Sequence, residues 1–137
     1  MNNLAMVLKL KIAITICAWC APLLLFPTGV LQWLGFSVPQ PIVFLRLLGM
    51  AYLALVVSYL STLRAIGKNV YPGAGVWVGI VSNGGASLCL ALAASEGVWS
   101  SWGLPAQIFM WGSLVGTAAI TVGLVVFGPL GRSAKST

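Results

Sequence analysis

An all-α integral membrane protein, a four-helix bundle with N- and C-termini cytoplasmic, is the fold class this sequence predicts. Three observations predict it. The chain is 60% hydrophobic and only 6% charged, where a soluble domain carries roughly 25% charged residues. Its apolar residues fall into four continuous runs, each near the ~20 residues a helix needs to cross a ~30 Å hydrocarbon core. The cations sort to one side of a four-span arrangement. Continuous rather than alternating runs exclude a barrel.

The first run covers about 12–31. Lys9 and Lys11 precede it as a signal-peptide n-region would, but no small-x-small cleavage pattern follows, so a retained helix is expected. Pro22 and Pro27 predict a kink or early unwinding. Phe26-Pro27-Thr28-Gly29 can end the helix and leave Val30 to Phe36 in the interface. Ser37-Val38-Pro39-Gln40-Pro41 is a turn. The second span covers 42–63 and contains Arg46. Tyr71-Pro72-Gly73 marks the next turn. The third span covers 75–94, and Ser95 to Gly103 forms a short loop with Glu96, Trp99 and Trp102. The fourth covers 105–127, opened by Pro105 and stopped by Gly128-Pro129. The chain is thus one transmembrane domain, 1–137.

Lys9, Lys11, Arg64, Lys68, Arg132 and Lys135 fall on one side of these spans, and Arg46 and Glu96 on the other. The positive-inside rule places the first group in the cytoplasm and suggests a bacterial inner membrane. Trp33, Trp99 and Trp102 then form an outer aromatic belt, with Tyr71 and Trp77 at the inner interface. The net charge of +6 reads as contact with anionic headgroups, not nucleic acid, because no basic cluster interleaves with aromatics.

The sequence has no His and a single acidic residue, Glu96. General acid–base work, carboxylate metal sites and His-ligated haem lack their side chains. The expectation is a protein that is no enzyme and holds no cofactor. A proton-driven exporter needs an intramembrane relay, which argues against the small multidrug-resistance exporters.

Four features remain as candidates. Cys17 and Cys20, spaced i, i+3, share a helix face and suit a redox or soft-metal pair, or are small apolar fillers. Arg46 is the one charge expected inside the membrane. It either snorkels to the outer interface or meets an anion, lipid or quinone headgroup. Asn83 is the most polar mid-span position, suited to an interhelical hydrogen bond or a ligand cavity. Gly75, Gly79, Asn83 and Ser87 recur every fourth residue, as Gly112 and Gly116 do before Gly123, so close packing of the third and fourth helices is predicted.

The Cys17-Ala18-Trp19-Cys20 motif resembles, in motif and span count alone, quinone-linked disulfide oxidases and mercury permeases. Cys89 cannot supply the second pair the oxidases use. A wider stretch runs from Phe26-Pro27 through Trp33-Leu34-Gly35, Pro39 and Pro41 to Phe44-Leu45-Arg46-Leu47-Leu48-Gly49. It resembles small bacterial four-span proteins of DoxX-like type, and that resemblance implies the fold and little about activity. The leading functional expectation is therefore an accessory subunit that packs against membrane lipids and other transmembrane helices, as a homo-oligomer or in a larger complex. The competing one is a thiol-dependent soft-metal permease or quinone-linked redox protein using Cys17 and Cys20.

Overall fold

Lipid offers no hydrogen-bond partner to the backbone, so each apolar run must satisfy its own. In the computed structural model, which describes residues 2–131, every one does so as a helix, and no strand occurs among the described residues. In chain order the helices are α1 (Asn2–Leu25), the short α2 (Thr28–Trp33), α3 (Val43–Gly67), α4 (Gly73–Ser95) and α5 (Leu104–Leu130). All but α2 are long and apolar enough to cross a membrane.

The first span differs from expectation at both ends. It starts at Asn2 rather than near residue 12, because Lys9 and Lys11 are good helix formers and do not interrupt the turns. It stops at Leu25 rather than 31. Pro27 disfavours the α conformation at Phe26, and Phe26 and Pro27 are both extended.

Two π-helical stretches, Thr15–Cys20 in α1 and Val126–Leu130 in α5, each lie at a proline. A proline ring collides with the carbonyl four residues back, and widening the turn moves that carbonyl aside. In α1 the Ala21 N–H accordingly reaches Ile16 O, five residues back.

The helices form a four-membered ring in which α1 meets α3 and α5, and α4 meets α3 and α5. The α4–α5 pairing is the most extensive contact between separate helices, as the small-residue pattern predicts. One half of the bundle is tightly packed, around Leu4, Leu8, Tyr59, Ile66, Val76 and Leu124. This half lies where the start of α1 meets the α3–α4 turn, with Lys9 near Asn69. The other half is hollow.

The glycines divide between these halves. A Cβ at Gly79 would lie 2.7 Å from Leu124 Cδ1, and one at Gly75 would collide with the Thr62 hydroxyl. A Cβ at Gly123 would touch Val7 of α1 at 3.4 Å. These three are packing glycines, although Gly75 packs on α3 and Gly123 on α1. Gly112 and Gly116 are not: nothing lies within 4 Å of a Cβ at either. The α4–α5 contact is made elsewhere, as where Gly84 faces Thr121. Ser87 is half-buried.

At the far end, Gly35 and Gly103 meet backbone to backbone, closer than a side chain would allow, and Gly103 N–H donates to Gly35 O at 3.0 Å. Gly35 has φ 86°, a conformation glycine reaches without a Cβ penalty. The aromatic belt is corrected in part. Trp33 is exposed, but Trp99 is buried with its ring 5.7 Å from Trp111, and Trp102 packs edge-on against Phe36. Arg132 and Lys135, two of the cations used for orientation, lie outside the described residues.

Candidate functional site

Lys11 occupies a place its neighbours in sequence do not suggest. Leu4, Leu8, Lys11 and Thr15 follow 4-3-4 spacing, so all four fall on the face of α1 that turns into the bundle, and all four are buried. Lys11 is thus a second charge within a candidate span beside Arg46, and it turns into the bundle. It lies nine residues into α1, about 14 Å from the helix start. Lys9, two residues away, remains exposed.

A buried ammonium in hydrocarbon is costly unless it is paired. Lys11 Nζ donates to Asn83 Oδ1 at 2.6 Å and lies 4.4 Å from the centre of the Tyr59 ring. An ammonium can only donate. That fixes the carbonyl side of Asn83 toward Lys11 and leaves Asn83 Nδ2 to donate to Gly79 O at 2.6 Å. Ser82 Oγ also donates to Gly79 O, at 3.2 Å, so the Tyr59 hydroxyl donates to Ser82 Oγ at 2.7 Å. The network joins α1, α3 and α4. Gly79 sits beside it, with Tyr59 Cε1 in ordinary van der Waals reach, 3.7 Å from where its Cβ would be.

No carboxylate among the described residues balances the charge. The only acidic residue is Glu96, exposed at the end of α4, thirteen residues and about 20 Å along the helix from Asn83.

The ammonium borders a cavity of about 420 Å³, within the 300–1,000 Å³ range of ligand pockets. Its polar wall comprises Lys11, Thr15, Tyr59, Ser82, Asn83 and Thr117. Its apolar wall includes Trp19, Leu55, Phe109 and Ile120. Gly112 and Gly116 line it too. The space beside them is part of the cavity, which explains why they have no packing partner. Among the lining residues Ile14, Cys89 and Gly112 are exposed. Hydroxyls along α5 are tied back to their own helix, Ser113 to Phe109 O at 2.7 Å and Thr117 to Ser113 O at 2.8 Å, so each keeps its acceptor lone pairs free.

A second cavity of about 280 Å³ adjoins the first. It is lined by apolar side chains such as Pro22, Leu31, Leu34, Val38, Leu45 and Met110. Ala18, Trp19 and Phe109 line both cavities. The Trp19 ring stands 5.2 Å from Phe109 and 5.1 Å from Tyr52, so an aromatic partition separates the two spaces.

The remaining candidates fare differently. Arg46 neither snorkels freely nor faces a vacant anion site. Its guanidinium donates to Leu23 O at 2.5 Å and Phe26 O at 2.7 Å. Pro27 has no N–H to give the Leu23 carbonyl, and the fork of Arg46 replaces it at the negative end of α1. Gly49 lets α1 approach this closely, with Leu24 packed against it. Cys17 and Cys20 do not share a face. The π turn rotates them apart, so Cys17 is exposed and Cys20 buried. No cluster of three metal-ligating side chains occurs among the described residues.

No protein-family model, curated protein or solved structure matches this chain.

Proposed function

We propose that this protein is a non-catalytic membrane protein that holds one small amphiphile inside its helix bundle, with the amphiphile's head group accepting hydrogen bonds from Lys11. The observation that carries this reading is a buried ammonium within a candidate span that faces an open cavity with no counter-charge among the described residues. An intramembrane ionisable residue is a functional-site hypothesis by default. Here the polar side chains around it turn inward on four helices rather than outward toward a partner helix. For that reason ligand binding displaces the accessory-subunit expectation as the leading reading. The thiol alternative loses its geometric basis with the divergence of Cys17 from Cys20.

The DoxX-like resemblance belongs to the same proposal. The residues that carry it converge in space, since Arg46 of one motif segment caps the chain at Phe26 of the other. A bacterial inner-membrane location with cytoplasmic termini is proposed on the exposed Lys9, Arg64 and Lys68 near one end of the bundle.

The test is native mass spectrometry of the full chain released from nanodiscs made with total lipid extract. The wild type should carry a non-covalent adduct that Lys11→Met lacks while remaining folded by circular dichroism. Equal adducts on both proteins, or none on either after exposure to the extract, would refute the proposal.

A further inference from the structure

The polar groups around the first cavity discriminate between ligand chemistries, on the footing of the amphiphile site proposed above. Both N–H groups of Asn83 Nδ2 are engaged, by Gly79 O at 2.6 Å and Ser82 Oγ at 3.4 Å, so toward a ligand Asn83 offers only the second lone pair of Oδ1. Ser113 and Thr117 direct their protons to Phe109 O and Ser113 O, and they too offer lone pairs. Against these acceptors stands the Lys11 ammonium, which can only donate. The hydroxyls of Thr15 and Tyr52 also line the cavity, but a hydroxyl serves either way and does not decide the matter. A ligand group made only of acceptors, such as a carboxylate or a quinone carbonyl, would set its lone pairs against those of Ser113 and Thr117. A cationic group would be repelled by Lys11. A hydroxyl, which accepts through its oxygen and donates its proton, answers both sets.

The shape of the cavity supplies the rest. The Trp19 ring touches Phe109, with centres 5.2 Å apart, and Tyr52, with centres 5.1 Å apart. These contacts shut the cavity off from the apolar one beyond, so the ligand occupies about 420 Å³ and sends no chain past Trp19. An apolar cavity of roughly 150 Å³ already holds benzene, and one or two rings suit this larger space. On α5, Gly112 and Gly116 present bare backbone to it, one turn apart, and a residue with a hydroxyl follows each directly. A planar ring can lie on that strip with its edge at the hydroxyls. Thr117 is the nearer of the two to Lys11, since it stands one turn from Thr121, which meets Gly84 beside Asn83.

We infer that the ligand is a neutral hydroxylated aromatic compound of one or two rings, lying between the glycine strip of α5 and the aromatic wall. Its hydroxyl oxygen accepts from Lys11 Nζ, and its hydroxyl proton is donated to Thr117.

The experiment measures binding of tritiated 2-naphthol to the full chain in nanodiscs at pH 7, with empty nanodiscs as the blank. One saturable site is expected, and Lys11→Met should weaken it by at least about tenfold, the loss expected for a hydrogen bond to a charged group. As competitors, 2-methoxynaphthalene, which cannot donate, and 2-naphthoate, which only accepts, should each be at least about fivefold weaker than 2-naphthol. Thr117→Val keeps the side chain's shape and should erase the difference between 2-naphthol and its methyl ether. Competition by 2-naphthoate or 1,4-naphthoquinone that equals competition by 2-naphthol overturns the inference, as does an undiminished preference for 2-naphthol in Thr117→Val. The adduct found with total lipid extract reads the broader proposal separately. A Lys11-dependent adduct without saturable 2-naphthol binding rejects the aromatic ligand and retains the amphiphile site, whereas absence of both rejects both.

Discussion

Replacing Asn83 with Leu removes the only side-chain acceptor among the described residues that bonds Lys11 Nζ and leaves the ammonium with the face of Tyr59 at 4.4 Å. An average interhelical hydrogen bond in a membrane protein contributes about 0.6 kcal/mol. This one is charge-assisted, which roughly doubles its strength, and it is short at 2.6 Å. Removing one partner also strands the other, which costs about 1–3 kcal/mol on its own. Asn83→Leu should therefore destabilise the bundle by about 2–3 kcal/mol. Lys11→Met should cost less, about 1–2 kcal/mol, because the stranded group is a neutral amide oxygen. In the double variant both partners are apolar, and that change is nearly neutral. A double-mutant cycle should then give a coupling of about 3–5 kcal/mol, with the double variant more stable than Asn83→Leu alone. The assay is equilibrium unfolding in mixed micelles with increasing dodecyl sulfate, read by circular dichroism. Additivity of the two single variants within about 0.5 kcal/mol would refute the pairing and the account of the buried lysine built on it.

The glycines supply a second contrast. Gly79→Leu should lower the unfolding free energy by more than about 2 kcal/mol, because it drives into Leu124 and Tyr59. Gly116→Leu should leave stability unchanged or raise it by up to about 1 kcal/mol while abolishing the Lys11-dependent adduct in native mass spectra; equal destabilisation by both would contradict the assignment. Arg46→Met should strand the Leu23 and Phe26 carbonyls and cost about 2 kcal/mol, with Arg46→Lys recovering only part, as thermal unfolding in detergent would register. Cys17→Ser and Cys20→Ala should each leave ligand adducts intact in native mass spectra, and loss of the adduct in either would revive a thiol role.

Span count and helical class were legible because they depend on composition over about twenty residues, where individual side chains average out. The packing glycines were half legible. Gly75, Gly79 and Gly123 meet neighbours as small-xxx-small spacing implies, but the same spacing at Gly112 and Gly116 encloses space. Spacing reports which face a residue lies on, and not whether another helix fills that face. The burial of Lys11 was not legible, because it stands two residues from an exposed lysine at the edge of an apolar run. The signal that could have found it is its register with Leu4, Leu8 and Thr15, which requires the helix to begin at Asn2. Asn83 was legible as a polar mid-span group. Its partner was not, because a contact between residues 72 positions apart depends on the rotation of two helices. Tyr59 and Ser82 carried no sequence signal beyond ordinary span composition. The divergence of Cys17 from Cys20 depends on a π turn, and Pro22, two residues after Cys20, was the visible cause whose effect on register went unread.

Arg46 also bears on how the chain enters the bilayer. Both carbonyls it binds belong to the first span's end, so arginine and acceptors are all present once the second span has been synthesised. The hairpin of α1 and α3 can thus neutralise the polarity of its own break before α4 exists. A charge that would resist transfer into lipid on an isolated helix instead travels as one member of a satisfied set. Lys11 is the opposite case: its acceptor, Asn83, arrives only with the third span. The first half of the protein is therefore self-sufficient at its proline break and incomplete at its centre, and the order of synthesis makes closure around Lys11 the later event of assembly.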